Sequence, residues 1–176
     1  MIIEERVERS QYVKLITWIV SFIILMAGIV FPVLILWVNQ DMMSKVIGAS
    51  VLCLIFFTLI FTVAYQPRKL ILSETHIIME RILGQVYISY SDITDISLYH
   101  RENVAEIRIF GIGGLGGYIG KFYNSKIGFY TAYVGDYSQA FLIKINNREK
   151  YVMSCRHAEK IVEEVKSRSK DEENLM

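Results

Sequence analysis

The spacing that comes nearest to a cofactor-binding motif lies in a glycine-rich segment. Residues Gly111 to Gly116 read G-x-G-x-x-G directly after a strand-like run, the pattern that holds the pyrophosphate of a dinucleotide. That motif must open a helix, with an acidic residue about 20 positions further on. Here Gly117 and Gly120 follow, which makes a poor helix start, and Asp136 falls in a predicted hairpin turn. We therefore expect no nucleotide cofactor.

Other residue types that could do chemistry are scattered along the chain. His76, His100 and His157 have no acidic or cysteine partner at metal-ligand spacing, which argues against a metal site. Asp92 and Asp95 suit a turn better than paired-carboxylate catalysis. No grouping of serine, histidine and aspartate has the local signature of a nucleophile elbow. The sequence therefore predicts a protein that is not an enzyme and that uses no cofactor or metal.

The glycine-rich segment nevertheless organises the chain. Six of the 11 glycines lie between Gly111 and Gly120. Each glycine gives up backbone entropy and a packing side chain, so this density predicts a loop, bulge or sharp corner rather than the interior of a strand. Strands are predicted on both sides of it, over Val104–Phe110 and Ile127–Val134.

The same segment mixes aromatic and basic side chains, a combination that suits an interface with a protein or with lipid headgroups. The candidate contact residues are Tyr118, Lys121, Phe122, Tyr123 and Lys126. Two interpretations stay open. The segment is either a structural β-corner or a flexible loop that contacts a partner.

Two long apolar runs precede this part of the chain. The sequence is 53% hydrophobic, with a mean hydropathy of +0.34, which is high for an ordinary soluble domain. The excess lies in Leu15–Gln40 and Val46–Gln66, which contain no charged residue. Each run is long enough to cross about 30 Å of hydrocarbon as a helix. We predict a transmembrane hairpin over residues 15–66, with spans at 15–38 and 46–65, rather than two buried core helices that the remaining chain is too small to cover.

The distribution of cations predicts the orientation of this hairpin. Cations flank its two ends at Arg6, Arg9, Lys14, Arg68 and Lys69, whereas the turn between the spans holds Lys45 alone. Because Lys and Arg concentrate on the cytoplasmic side of membrane proteins, both termini are predicted to be cytoplasmic. Residues 1–14 would then be a short cytoplasmic segment.

The hydrophobic pattern changes to that of short strands after Pro67. Ile107 and Ile109 alternate with Glu106 and Arg108, which predicts one buried and one solvated face. About eight strands are followed by a helix with a single apolar stripe at Ala158, Ile161, Val162 and Val165. This order predicts a small barrel or bent sandwich that the helix closes.

Two passages resemble a known family. Leu72–Ile96, a strand, a turn, an apolar strand and then ISYSDI, is similar to the opening of bacterial pleckstrin-homology (PH)-like domains. Ile109–Tyr133, followed by Tyr151–Ser154, resembles the glycine-rich second half of one such family. The helix at Arg156–Lys166 stands where these domains place theirs. Cys155 and the two residues after it depart from the proline and acidic residues that usually open that helix.

The resemblance leaves the hairpin out and implies a PH-like antiparallel β-barrel with a C-terminal helix. Together with the apolar runs, this predicts an α+β protein: a two-helix transmembrane hairpin followed by that barrel. The PH-like domain is predicted at residues 67–169 and a charged tail at residues 170–176. The resemblance implies no activity, because the fold serves lipid, peptide and protein binding alike.

The predicted function is a membrane-anchored cytoplasmic binding module in the bacterial inner membrane that recruits or regulates a protein partner. The alternative is a sensor of lipid or peptidoglycan-precursor headgroups that uses residues 111–126. The net charge of +1 argues against nucleic-acid binding. The predicted partners are the lipid bilayer and a membrane protein, and a homo-oligomer stays open.

Overall fold

A computed structural model describes residues 2–38, 41–101, 106–146 and 149–175. The helices are α1 (Gln11–Val38), α2 (Met42–Ala64) and α3 (Ala158–Leu175). The strands are β1 (Ile3–Arg6), β2 (Pro67–Leu72), β3 (His76–Arg81), β4 (Gln85–Ser89), β5 (Ile93–Tyr99), β6 (Glu106–Gly113), β7 (Tyr118–Asn124), β8 (Gly128–Val134), β9 (Ala140–Ile145) and β10 (Lys150–Ser154).

The strands form two sheets. Sheet A has the order β1-β2-β3-β4, and sheet B has the order β5-β9-β10-β8-β7-β6. Neighbouring strands are antiparallel except β8 and β10, which run parallel with Tyr151 opposite Thr131. The predicted antiparallel barrel is therefore corrected in two respects. One strand pair is parallel, and no closed barrel is found in the described residues, because β5 and β6 remain the two edges of sheet B.

The glycine-rich segment is a β-hairpin with its turn at residues 114–117, so the predicted loop, bulge or corner over the whole segment is corrected. Strands β6 and β7 run through it, and Gly111 lies opposite Gly120 with φ angles of 122° and 123°. A Cβ on Gly111 would lie 2.1 Å from the Ile119 carbonyl oxygen. The glycines therefore permit a close approach of two strands that side chains would prevent. The first two residues of the predicted strand, Val104 and Ala105, lie outside the described residues.

The N-terminal segment forms a strand that the sequence pattern did not predict. Strand β1 pairs antiparallel with β2, with Ile3 opposite Leu72. Helices α1 and α2 therefore connect β1 and β2, two neighbouring strands of sheet A. Both are long and apolar enough to cross a membrane, over Gln11–Leu34 and Met42–Ala64.

The main core lies between sheet A, sheet B and α3. It contains Leu70, Met79, Phe141 and Met153, each fully buried. The predicted C-terminal helix is present, and the four residues of its apolar stripe are buried in this core. Helix α3 continues to Leu175, through most of the segment that was predicted to be a charged tail. A second, aromatic-rich core covers the opposite face of sheet B.

Candidate functional site

A buried carboxylate joins the two edges of sheet B. The Glu106 side chain is 2% exposed, although the alternation of β6 predicted a solvated position. Its Oε1 atom accepts hydrogen bonds from the hydroxyls of Tyr99, at 2.8 Å, and Tyr130, at 2.9 Å. Its Oε2 atom forms an ion pair with Arg101 Nε at 2.9 Å. The burial predicted for β6 is thus wrong at two positions: the acidic Glu106 is buried, and the apolar Ile107 is 55% exposed.

Aromatic rings surround this ion pair. The Arg101 guanidinium carbon lies 4.8 Å from the centre of the Tyr137 ring and 5.4 Å from that of Tyr118, distances typical of cation–π contacts. Phe122 stacks on Tyr130 with ring centres 5.8 Å apart. These contacts lie on one face of sheet B and, with the hydrogen bonds of Glu106, link its two edges.

The tyrosine hydroxyls of this cluster are hydrogen-bond donors at neutral pH. Burial, together with the hydrogen bond to Glu106, raises the pKa of Tyr99 to about 12. Burial also raises the pKa of Tyr130 and Tyr137. The hydroxyls therefore stay protonated, and those of Tyr99 and Tyr130 stabilise the carboxylate by hydrogen bonding. The described residues contain no group of three or more histidine, cysteine or acidic side chains that could hold a metal ion.

The face of sheet B opposite this aromatic cluster is exposed to solvent near the β6 edge. The register places Ile107, Tyr123 and Phe129 in one row across β6, β7 and β8, with Phe110 and Lys121 in the next. Phe110 and Phe129 are 74% and 68% exposed. We call these five residues the aromatic face. A cavity of about 400 Å³ adjoins it, lined in part by Val86 of β4, Lys121, Phe129 and Tyr151.

The structure distributes the predicted contact residues over three places. Lys121 and Tyr123 belong to the aromatic face. Tyr118 and Phe122 point the opposite way, into the aromatic core, where Phe122 is 4% exposed. Lys126 follows the far end of β7. The sequence did not identify Ile107, Phe110 and Phe129 as members of the aromatic face. Strand β6 has apolar residues on both of its faces, and a bulge between Arg108 and Phe110 changes which face the following residues occupy.

The turn of the glycine-rich hairpin contacts the N-terminal part of α1. The Thr17 hydroxyl oxygen accepts a 2.7 Å hydrogen bond from the Gly116 N–H, and the Gly114 N–H donates to the Gly117 carbonyl to close the turn. In sheet A, the Leu83 N–H, between β3 and β4, donates to the Ala64 carbonyl at the end of α2. Two β-turns thus attach the sheets to both helices.

The comparisons with known proteins extend this description. A family model described as a bacterial PH domain matches residues 68–169. No curated protein and no solved structure matches the chain. The family match runs from β2 into α3, and it leaves out β1, α1 and α2.

Proposed function

Since this chain belongs to the bacterial PH domain family, whose domains are generally non-catalytic binding modules, we propose that it is a membrane-anchored module that binds a protein partner at the cytoplasmic face of the bacterial inner membrane. The observation that carries the proposal is the aromatic face, an exposed patch on a domain that the two apolar helices would hold at the membrane.

The helices support the membrane anchor. Only 12% and 11% of their most apolar 18-residue windows are buried, so α1 and α2 are not covered as the core helices of a soluble protein would be. A bilayer would cover these side chains. The pairing of β1 with β2 supports a helix pair whose two ends lie on one side of the membrane. The cations that flank those ends favour the cytoplasmic side.

The aromatic face supports the protein partner. Three large apolar side chains, Ile107, Phe110 and Phe129, are more than half exposed in one patch, and such patches mark interaction sites. The described residues provide no carboxylate partner for Lys121. The edge strand β6 also borders this face, so an extended segment could pair with it. We assign the face to an extended apolar segment of a membrane protein that carries an acidic residue opposite Lys121.

The alternative, headgroup binding through residues 111–126, has less support. Its tip already contacts Thr17 and is not a free loop. Lys121 and Lys126 lie at different points along β7 and its following turn, and Lys126 is at the end away from the helices. The two lysines therefore do not form one phosphate site.

Site-specific photo-crosslinking in native membranes tests the proposal. A photoreactive phenylalanine analogue replaces Phe129 in the full chain, and a second chain carries it at the exposed Lys160 of α3. We expect position 129, and not 160, to crosslink to one membrane protein through an extended apolar segment with an acidic residue, identified by peptide mass spectrometry.

A matched pair of charge reversals provides the control. Lys121→Glu should abolish the crosslink from position 129, whereas Lys160→Glu should leave it unchanged. Equal crosslinking in the Lys121→Glu chain would contradict the proposed partner. A crosslink to a second copy of this chain would replace that partner with a homo-oligomer.

A further inference from the structure

A basic cleft lies where the chain enters and leaves the helix pair. It has a volume of about 430 Å³ and is lined by Val7, Glu8, Arg9, Lys14, Pro67 and Arg68. Arg9 and Lys14 flank the start of α1, and Arg68 stands on β2, four residues after the end of α2. None of these residues belongs to the aromatic face.

The charges of this cleft are not balanced within the protein. Glu8 is the acidic residue among those that line the cleft, and its carboxylate pairs with Arg156 at 3.5 Å. Glu4 and Glu5 pair outside the cleft, with Lys69 at 3.3 Å and His157 at 3.0 Å. In the ranges that the structure describes, Arg9, Lys14 and Arg68 have no carboxylate partner. The first turn of α1 also lacks an acidic residue, so the positive end of the helix dipole adds to the potential of the three cations.

Hydrogen bonds within the protein hold the Arg9 side chain and the backbone of the cleft in place. The Arg9 Nη2 atom donates a 2.5 Å hydrogen bond to Gln66 Oε1, and Gln66 is 5% exposed. The Val7 N–H donates to the Arg68 carbonyl at 3.0 Å, which continues the pairing of β1 with β2. These parts of the cleft lose little conformational entropy when a ligand binds.

We propose that this cleft binds the phosphate of an anionic phospholipid headgroup. The inference rests on the proposed membrane position of α1 and α2, whose apolar stretches begin at Gln11 and end at Ala64. The cleft would then lie at the level of the headgroups, where basic side chains attract anionic lipid. The Arg9 and Arg68 guanidinium groups and the Lys14 ammonium supply the donors that a phosphate oxyanion needs.

Native mass spectrometry of the purified full chain in detergent tests the cleft. Phosphatidylglycerol and phosphatidylcholine are titrated against the wild type, a Lys14→Gln/Arg68→Gln variant and a Lys160→Gln/Lys166→Gln control with the same net charge. All four lysine and arginine side chains are exposed, so we expect the variants to fold, which circular dichroism checks. The wild type and the control should prefer phosphatidylglycerol, and the cleft variant should bind it about 30-fold more weakly, since each cation near the surface contributes about fivefold.

Three outcomes would overturn the proposal. They are an unchanged affinity in the cleft variant, an equal loss in the control, and displacement of the lipid by inorganic phosphate at equal concentration, which would make free phosphate the ligand. Alkaline extraction of membranes tests the anchor separately. A chain that resists extraction but has no lipid preference refutes only the cleft, whereas a chain that is extracted refutes the proposed function.

Discussion

The Tyr99 hydroxyl, on the last residue of β5, donates a 2.8 Å hydrogen bond to the Glu106 carboxylate, on the first residue of β6. These strands are the opposite edges of sheet B. Asn124 Nδ2 of β7 adds a 3.0 Å hydrogen bond to the same hydroxyl. In a closed barrel, β5 and β6 would be joined by strand pairing. Here side chains join them, through hydrogen bonds to the buried Glu106 carboxylate.

Loss of the Tyr99 hydroxyl should destabilise the domain. Tyr99→Phe removes one donor from a buried carboxylate, and we expect the free energy of unfolding to fall by about 1–3 kcal/mol. The matched control is Tyr151→Phe, because Tyr151 donates a 2.8 Å hydrogen bond to the exposed Glu149. Its effect should stay below about 0.5 kcal/mol. Denaturant unfolding of the full chain in detergent measures both, and equal effects would refute the role of the cluster.

The stability of the wild type should decrease at alkaline pH. The pKa of Tyr99 is raised to about 12 in the folded protein, against about 10 in the unfolded chain. Between these values the unfolded state has lost the proton that the folded state keeps, so the contribution of Tyr99 to stability is full below about pH 10 and falls as the pH rises towards about 12. Thermal unfolding across this range should show a shallower decrease in Tyr99→Phe. Parallel curves for the two chains would show that Tyr99 does not contribute.

Gly111 should tolerate no side chain. Its φ is 122°, and a Cβ at this position would lie 2.1 Å from a backbone oxygen. We therefore expect Gly111→Ala to cost about 3 kcal/mol or more. Gly113→Ala is the control, since its Cβ would meet only side chains, the nearest being the flexible Arg108 at 3.4 Å. We expect the control to unfold within about 1 kcal/mol of the wild type. A well-folded Gly111→Ala chain would contradict the hairpin.

Local patterns in the sequence predicted a large part of this fold. The apolar stripe of α3 depends on spacing within one helix, and the resemblance to bacterial PH domains rested on contiguous motifs, so both were visible and both are confirmed. Strand β1 could not be predicted in this way. Its four residues, Ile3–Arg6, form a strand by pairing with β2, which begins at Pro67.

The candidate site depended on contacts that a linear pattern does not contain. Glu106 is buried because Tyr99, Arg101 and Tyr130 approach it from other parts of the sheet. Gly111 lies in a strand because its cross-strand neighbour is also a glycine. The alternation within one strand therefore predicted a solvated Glu106, and the density of glycines predicted a loop, bulge or corner where Gly111 and Gly120 lie in paired strands.

Cysteine labelling of membrane vesicles tests the central claim, a helix hairpin that spans the membrane and returns to the same sheet. Glu4→Cys, Met43→Cys and Glu74→Cys are each placed in a chain with Cys53→Ser and Cys155→Ala, and an impermeant maleimide is added to right-side-out and inside-out vesicles. These three positions stand on β1, at the start of α2 and after β2. We expect Glu4→Cys and Glu74→Cys to react only in inside-out vesicles and Met43→Cys only in right-side-out ones. Labelling of Met43→Cys from the same side as Glu74→Cys would contradict the claim.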